Sequence, residues 1–515
     1  MQKLVRKWLL ILIIAVVGAG GVVVLIRISA LPRYLRHYAV AAVEQHLGSK
    51  ATFAKLDVHF FPGIRITGED LALQLKSRRD VPPFVKIHKF SARAGFLDLL
   101  RKPHHLRHVE LDGLQLIVPP RSPNPQPKQS LKKKGKEYAV VLDEIVANNA
   151  QLVMLTGNPK KHPRVFAIQH LTICNAGLGE AMTFNADLTN PAPKGEIATH
   201  GTLGPWDRDD PGLTPLSAAY TFSHADLSTF NGLAGILNSR GKFGGVLNRI
   251  DVTGETDTPA FELTSAGHPV PLETQFHAIV NGANGNTLLD PVRATLAGSL
   301  MNAKGGVFQV TGVKGRVVIL DAIASGAKLA DILPVAVKAG APPMKGLIDF
   351  QTQIKISPGA GDILDRLALD GSFRIHDASF TKLDVQSKVD ALSHRARGNP
   401  GVTSRKDVIS RFSGRFTMKN GVMTFPRLSF GVAGASVHLS GNYNIHNQKL
   451  DFHGALRLEA AISQTVKGWK SYLLKPLDPL FRKNGAGTVL PIHVTGTESD
   501  PSFGIDIRRV LTGSD

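Results

Sequence analysis

The side chains of this 515-residue chain that could do chemistry fall in three short stretches. "HHLRH" sets His104, His105 and His108 close together, and imidazoles are both metal ligands and general bases. A helix through them would place two on one side. A metal needs more ligands than that, and Pro103 with Arg107 reads as an exposed turn. "WDRDDPG" offers the oxygens of Asp207, Asp209 and Asp210, but it lacks the glycine and distal glutamate of a calcium loop and reads as solvated. Cys174, the single cysteine, excludes an intrachain disulfide and a cysteine cluster; closing the apolar stretch "LTIC", it reads as a small core residue. The chain has neither a G-x-x-x-x-G-K-[ST] phosphate loop nor a G-x-S-x-G nucleophile elbow. The expectation is a protein that is not an enzyme and uses no metal and no cofactor.

The elements that would carry any site are strands. Fifty glycines and 31 prolines against 6% aromatic residues suggest many turns between many short strands, in a chain whose 43% hydrophobic and 20% charged content is that of a folded protein. In "SVHLSGNYNIHNQKLDFHGALRLE", Val437, Leu439, Tyr443 and Ile445 alternate with polar residues on one arm, and Leu450, Phe452, Leu456 and Leu458 do so on the other. In "GLIDFQTQIKI", Ile348, Phe350, Ile354 and Ile356 share a face. "RFTMKNGVMTF" carries Asn420-Gly421, a tight-hairpin signal. Each strand has one apolar face, which requires a second layer, another sheet, or something that is not protein. Stacked sandwiches covering each other's faces would satisfy the pattern. At roughly 13 residues per strand and turn, the chain after residue 137 gives roughly 28 strands, or ~135 Å of sheet at ~4.8 Å spacing.

Trp8 to Ile26, "WLLILIIAVVGAGGVVVLI", is an uncharged run long enough for a bilayer of ~30 Å. It exceeds the ~7 to 15 residues of a secretory h-region and reads as a retained anchor, with Trp8 at the membrane boundary. Lys3, Arg6 and Lys7 hold the N-terminus in the cytoplasm. The expected location is the bacterial inner membrane, with a single N-terminal span and the bulk of the chain in the periplasm. Residues 1 to 136 contain 24 Lys or Arg against 8 Asp or Glu, while the remainder is nearly neutral, so +16 of the formal +20 lies beside the anchor. That placement suits anionic headgroups, and with no nucleic-acid-binding motif it argues against a nucleic-acid partner.

The chain then divides as follows. Residues 1–29 are tail and anchor, and 30–118 a short helix and strands. "PPRSPNPQPKQSLKKKGKE" within 119–137 is a Pro/Lys-rich linker, and 138–458 is the main β region. Residues 459–483 form an amphipathic segment and 484–515 the closing strands. In the amphipathic segment Ile462, Val466, Trp469 and Leu473 make a helical stripe flanked by Lys467 and Lys470, as membrane contact at an interface needs. A helix covering the end of the sheet uses the same stripe.

"LGSKATFAKLDVHFFPGIRITGEDLALQ" with "PPFVKIHKFSARAGFLDLLRKPHHLRHVELDGLQLIV" resembles the opening domain of the AsmA-like family of bacterial envelope proteins. "LNSRGKFGGVLNRIDVTGETDTPAFEL", "LDRLALDGSFRIHDASFT" and "NGAGTVLPIHVTGTESDPSFGIDI" resemble its later portions. The resemblance implies a mainly β fold: an N-terminal transmembrane helix, a small α+β region, and a long curled antiparallel sheet forming an open apolar groove, as in bridge-like lipid transfer proteins. It implies as partners a phospholipid or other acyl-chain lipid, the inner membrane, and the outer membrane or one of its proteins. The implied role is passive sliding of acyl chains in support of outer-membrane assembly and envelope integrity. A structural assembly factor for outer-membrane proteins, without lipid transport, is the alternative.

Overall fold

A computed structural model describes residues 49–59, 64–75, 82–95, 104–118, 140–155, 164–176, 180–205, 207, 210–282, 284–310, 312–313, 315–336, 338, 344–381, 383–399, 410–465, 475, 487–498 and 500–505. Of these, 72% lie in strands and 9% in helices. The proposed anchor around Trp8, the helix expected near residues 35–47 and the linker 119–137 lie outside the described residues. No described helix is long and apolar enough to cross a membrane.

The strands form one sheet in which almost every strand pairs with its predecessor in the chain. From Val140–Met154 to Pro501–Ile505 the order is an antiparallel meander, each strand bonded to the next long one. Consecutive pairing follows from short turns. Asn420 and Gly421 take φ of 52° and 70°, the left-handed pair that closes the predicted two-residue hairpin. The count differs from expectation: 20 described strands follow the linker, most of them 10–15 residues long, because many glycines sit inside strands rather than in turns. The sheet beyond the linker measures roughly 90 Å along its hydrogen bonds, at ~4.8 Å per strand.

The boundary expected at 119–137 divides no sheet. His104–Leu106, His108–Asp112 and Gln115–Val118 lie end to end along Val140–Met154, parallel to it and at one constant offset, as in His104↔Val140, Val109↔Ile145 and Gln115↔Gln151. The strands before the linker thus continue the later sheet. At the other end Thr488–Thr497 pairs with Lys449–Leu458, so 484–515 also adds to it.

Register shifts recur along the meander, between Phe222 and Ala225, Thr258 and Phe261, Ala324 and Ala327, and Ile375 and Ala378 among others. Each extra residue bends its strand and increases the right-handed twist. The accumulated coil brings opposite rims together. Asn231, at the rim after Pro215–Asp226, accepts from the Ile363 N–H at 2.8 Å and donates from Nδ2 to the Ala360 carbonyl at 2.7 Å. Ala360 and Ile363 belong to the opposite rim, between Met344–Ile356 and Leu367–Phe380. The long strands starting at Ile236, Arg249, Val270, Thr287, Ser299, Arg316 and Met344 curl within this clasp. Replacing Asn231 with alanine removes one side-chain hydrogen bond worth about 1 kcal/mol. Hydrogen exchange at the Ile363 amide is expected to accelerate about five-fold, with amides of distant hairpins unchanged.

Three short helices leave one rim, since each follows a strand running in the same sense. They are Leu329–Ala336, Leu383–Ala396 and the 3-10 turn Ile462–Thr465.

Candidate functional site

The histidine and aspartate stretches do not converge. Where an exposed turn was expected, His104–Leu106 and His108–Asp112 are strands, and two of the imidazoles pair with carboxylates: His105 Nδ1 with Asp143 at 2.7 Å, His108 Nδ1 with Glu144 at 2.7 Å and His108 Nε2 with Glu110 at 3.1 Å. In the 207–214 loop Asp207 accepts from the Asp210 N–H at 2.8 Å and Asp210 from the Gly212 N–H at 3.1 Å, so these carboxylates hold the loop's own backbone. Asp209 lies outside the described residues. Among the described residues no group of three or more His, Cys, Asp or Glu is placed to hold a metal. Cys174 is half-buried, opposite Glu144 and Thr183, and so on the polar face rather than in a core, because Ile173 takes the apolar side.

What the fold does bring together is the apolar face. Residues opposite one another in register share a side of the sheet, so pairings can be followed strand by strand. One row runs Ile348, Ile375, Phe412, Phe430, Val437, Leu456, Leu490. A second runs Phe350, Phe373, Gly414, Leu428, Leu439, Gly454, Ile492, Ile505. A third runs Ile354, Leu369, Met418, Met423, Tyr443, Leu450. Ile356 lies beside Leu367, Phe452 beside Gly441, and Leu458 beside Ala435. Ile445 falls just past its strand, in the turn, where its N–H donates to Gly421 at 2.9 Å. The rows extend toward the N-terminus through Val292, Phe276, Val252, Phe243, Ala218, Phe184, Ile173 and Ile145 to Val109 and Ala92.

This face is the more shielded of the two. Along Ile236–Val246, Leu237, Ser239, Gly241 and Phe243 are half-buried, while Asn238, Arg240 and Lys242 between them are exposed. The polar side carries ion pairs such as Arg240 with Glu255 and His453 with Asp451.

Glycines form a floor beneath aromatic rings on this face. A Cβ at Gly371 would stand 2.5 Å from the Gln351 carbonyl and 2.9 Å from the Phe416 ring; at Gly254 it would stand 2.5 Å from the Tyr220 hydroxyl and 3.0 Å from the Phe276 ring. Aromatic rings therefore lie over bare backbone, the arrangement by which neighbouring rings cover strand glycines. Toward the C-terminus the rings form a series: Phe373 to Phe416 at 6.2 Å between centroids, Phe416 to Phe425 at 6.4 Å and Phe425 to Phe452 at 5.8 Å. Sequence reasoning missed this floor. Its signal is the glycine two residues from an aromatic in "DGSF" and "SGRF"; Gly254 of "VTGETD" instead meets Phe276 of "QFH" across neighbouring strands.

Protein covers the face at one rim. Leu329, Ile332 and Leu333 pack on Ile348, Ile375 and Ala378, and Leu392 with Ala396 packs on Ala435 and Leu458. Of the predicted lipid-facing residues, Ile348 and Leu458 thus meet protein, and Phe452 is also buried. Ile462 begins the 3-10 turn Ile462–Thr465, and just before it Ala460 donates to the Ala396 carbonyl at 2.8 Å. Val466, Lys467, Trp469, Lys470 and Leu473 lie outside the described residues.

Tyr443 closes the opposite rim. Its hydroxyl donates to Glu498 at 2.6 Å, and burial, then that hydrogen bond and the charge of Glu498, push its ionisation up. It is neutral at any physiological pH.

No family model, curated protein or solved structure matches this chain.

Proposed function

We propose that this protein is a non-enzymatic conduit for acyl-chain lipids, anchored in the bacterial inner membrane and acting in the periplasm, as its resemblance to AsmA-like proteins implies. The observation that carries the reading is the strand-to-strand succession of apolar side chains on one face of the sheet, from Ala92 to Ile505, whose described cover is slight: the helices Leu329–Ala336 and Leu383–Ala396 at one rim, and the turn Ile363–Arg366 with the Tyr443–Glu498 hydrogen bond at the other. A globular enzyme would bury such a face under a second layer. Lipid tails satisfy it instead: a lipid with ~30 methylenes loses on the order of 24 kcal/mol when fully exposed to water, at ~0.8 kcal/mol per methylene. A track that keeps the tails covered removes most of that barrier. Headgroups stay at the open mouth, in water. The chain encodes no recognisable nucleotide site, so direction comes from the lipid gradient or from partners.

Lipid analysis of the full-length protein, purified in detergent and washed extensively, is the direct test. Phospholipid in stoichiometric amounts is expected. A lipid-free protein that instead captures unfolded outer-membrane protein would replace the conduit with the assembly-factor reading.

A further inference from the structure

On the opposite, polar face, we infer a binding site for a phosphate group, formed by Arg374, Arg415 and Arg427 with the hydroxyls of Ser372 and Ser413; the Ser429 hydroxyl beside them is already hydrogen-bonded to His438 Nδ1 at 2.7 Å. These residues line a hollow of about 830 Å³ across the strands from Arg316–Lys328 to Val422–Val432. The register explains their convergence. Arg374 stands opposite Ser413, Ser372 opposite Arg415, Ser413 opposite Ser429, and Arg415 directly opposite Arg427.

That last pairing is the telling one. Like charges directly across an antiparallel pair are destabilising, and here no carboxylate sits between them. Arg415 reaches Asp370 only at 3.9 Å, away from Arg427, and Arg427 makes no ion pair among the described residues. The one carboxylate in the hollow, Asp349, is already committed: Oδ1 accepts from the Gly326 N–H at 2.8 Å and Oδ2 faces His376 Nε2 at 2.8 Å. Three guanidinium groups against one engaged carboxylate leave the hollow at net +2.

Guanidinium forks match the paired oxygens of phosphate and of carboxylate alike. Hydroxyls on several sides add donors that a flat carboxylate, with two oxygens, cannot use together. A tetrahedral oxyanion does use them. Phe350, Phe373 and Gly414 also border the hollow, but the arginines and serines alternate with them along the strands and so belong to the opposite face of the sheet from the apolar rows. The site's ligand is therefore not the headgroup of a lipid whose tails occupy the groove. The phosphate comes from a membrane surface against which this face lies, or from a soluble phosphate monoester.

Two measurements on the full-length protein in detergent or amphipol separate these sources. One is calorimetric titration with glycerol 1-phosphate. The other is co-flotation with vesicles of phosphatidylcholine, with or without phosphatidic acid. Binding of the soluble ester identifies a soluble source; flotation confined to phosphatidic acid vesicles identifies a headgroup. In either case the triple variant R374Q/R415Q/R427Q is expected to lose at least ten-fold in affinity. Ser413→Asp, which places an anion in the hollow, should do the same, whereas Arg457→Gln, on the same face but outside the hollow, should not. No binding to either probe, or equal losses in Arg457→Gln and the triple variant, would overturn the site. Lipid carried in the apolar groove is unaffected by these variants, so the two readings fail separately.

Discussion

Replacing Leu320 with aspartate is expected to reduce phospholipid transfer at least ten-fold, measured from vesicles carrying the full-length protein to acceptor vesicles. Leu320 is half-buried on the apolar face, opposite Gly305 on one side and Ile354 on the other. An unpaired polar group in an apolar setting costs ~1–3 kcal/mol in proteins and an ionised one more. At about 1.4 kcal/mol per factor of ten, that cost alone supplies the effect. The geometry adds to it, because lipids in a one-dimensional track pass every strand in turn and a barrier at one strand limits all of them. Leu320→Met keeps the surface apolar and should transfer as the parent does. Asp321→Asn, one residue along and facing water, should also be silent. Equal transfer by Leu320→Asp and the parent, with the variant folded by circular dichroism, would remove the groove as the route.

The second large effect concerns the glycine floor. Gly371→Val is expected to destabilise the fold by about 1–3 kcal/mol, the usual cost of forcing volume into a packed site, and to lower the unfolding temperature. The added Cβ meets the Gln351 carbonyl at 2.5 Å and Thr352 at 2.8 Å, neither of which is a flexible tip, and it displaces the Phe416 ring. Gly361→Ala, at a position with nothing nearby, serves as the control. Unchanged melting of Gly371→Val would mean that the ring is not held against the backbone.

The alternation of Ile348, Phe350, Ile354 and Ile356, and of the arms around Asn444, is legible in the sequence because a strand's side chains have a period of two and most alternate positions there are apolar. Asn420-Gly421 was legible because few residues accept two left-handed conformations in succession. Features that depend on how distant strands add up were not legible. The places of Gly371 and Gly254 inside strands are such features, since nothing local announces that a ring from the next strand will cover them. Cys174 reads as core because it closes an apolar stretch, although the alternation of Leu171, Thr172 and Ile173 sets it in phase with Thr172 on the polar side. The clasp between Asn231 and Ala360 depends on twist accumulated over seven intervening strands. The arginine hollow was equally hidden, because Arg374, Arg415 and Arg427 come from three separate strands.

Pairing each strand with its chain neighbour also makes the length of the protein a discrete quantity. Because stability in such an array depends on adjacent units, a hairpin can be inserted or removed without redesigning the rest, provided that both its strands keep their phase. Each such step changes the reach by ~9.6 Å, two strand spacings. Loss of a single strand is a different event, since it reverses the direction of everything downstream and moves the rim helices to the other lip. Hairpin-sized insertions and deletions are therefore the changes that this architecture tolerates, and the gap that it can bridge is set in units of one hairpin.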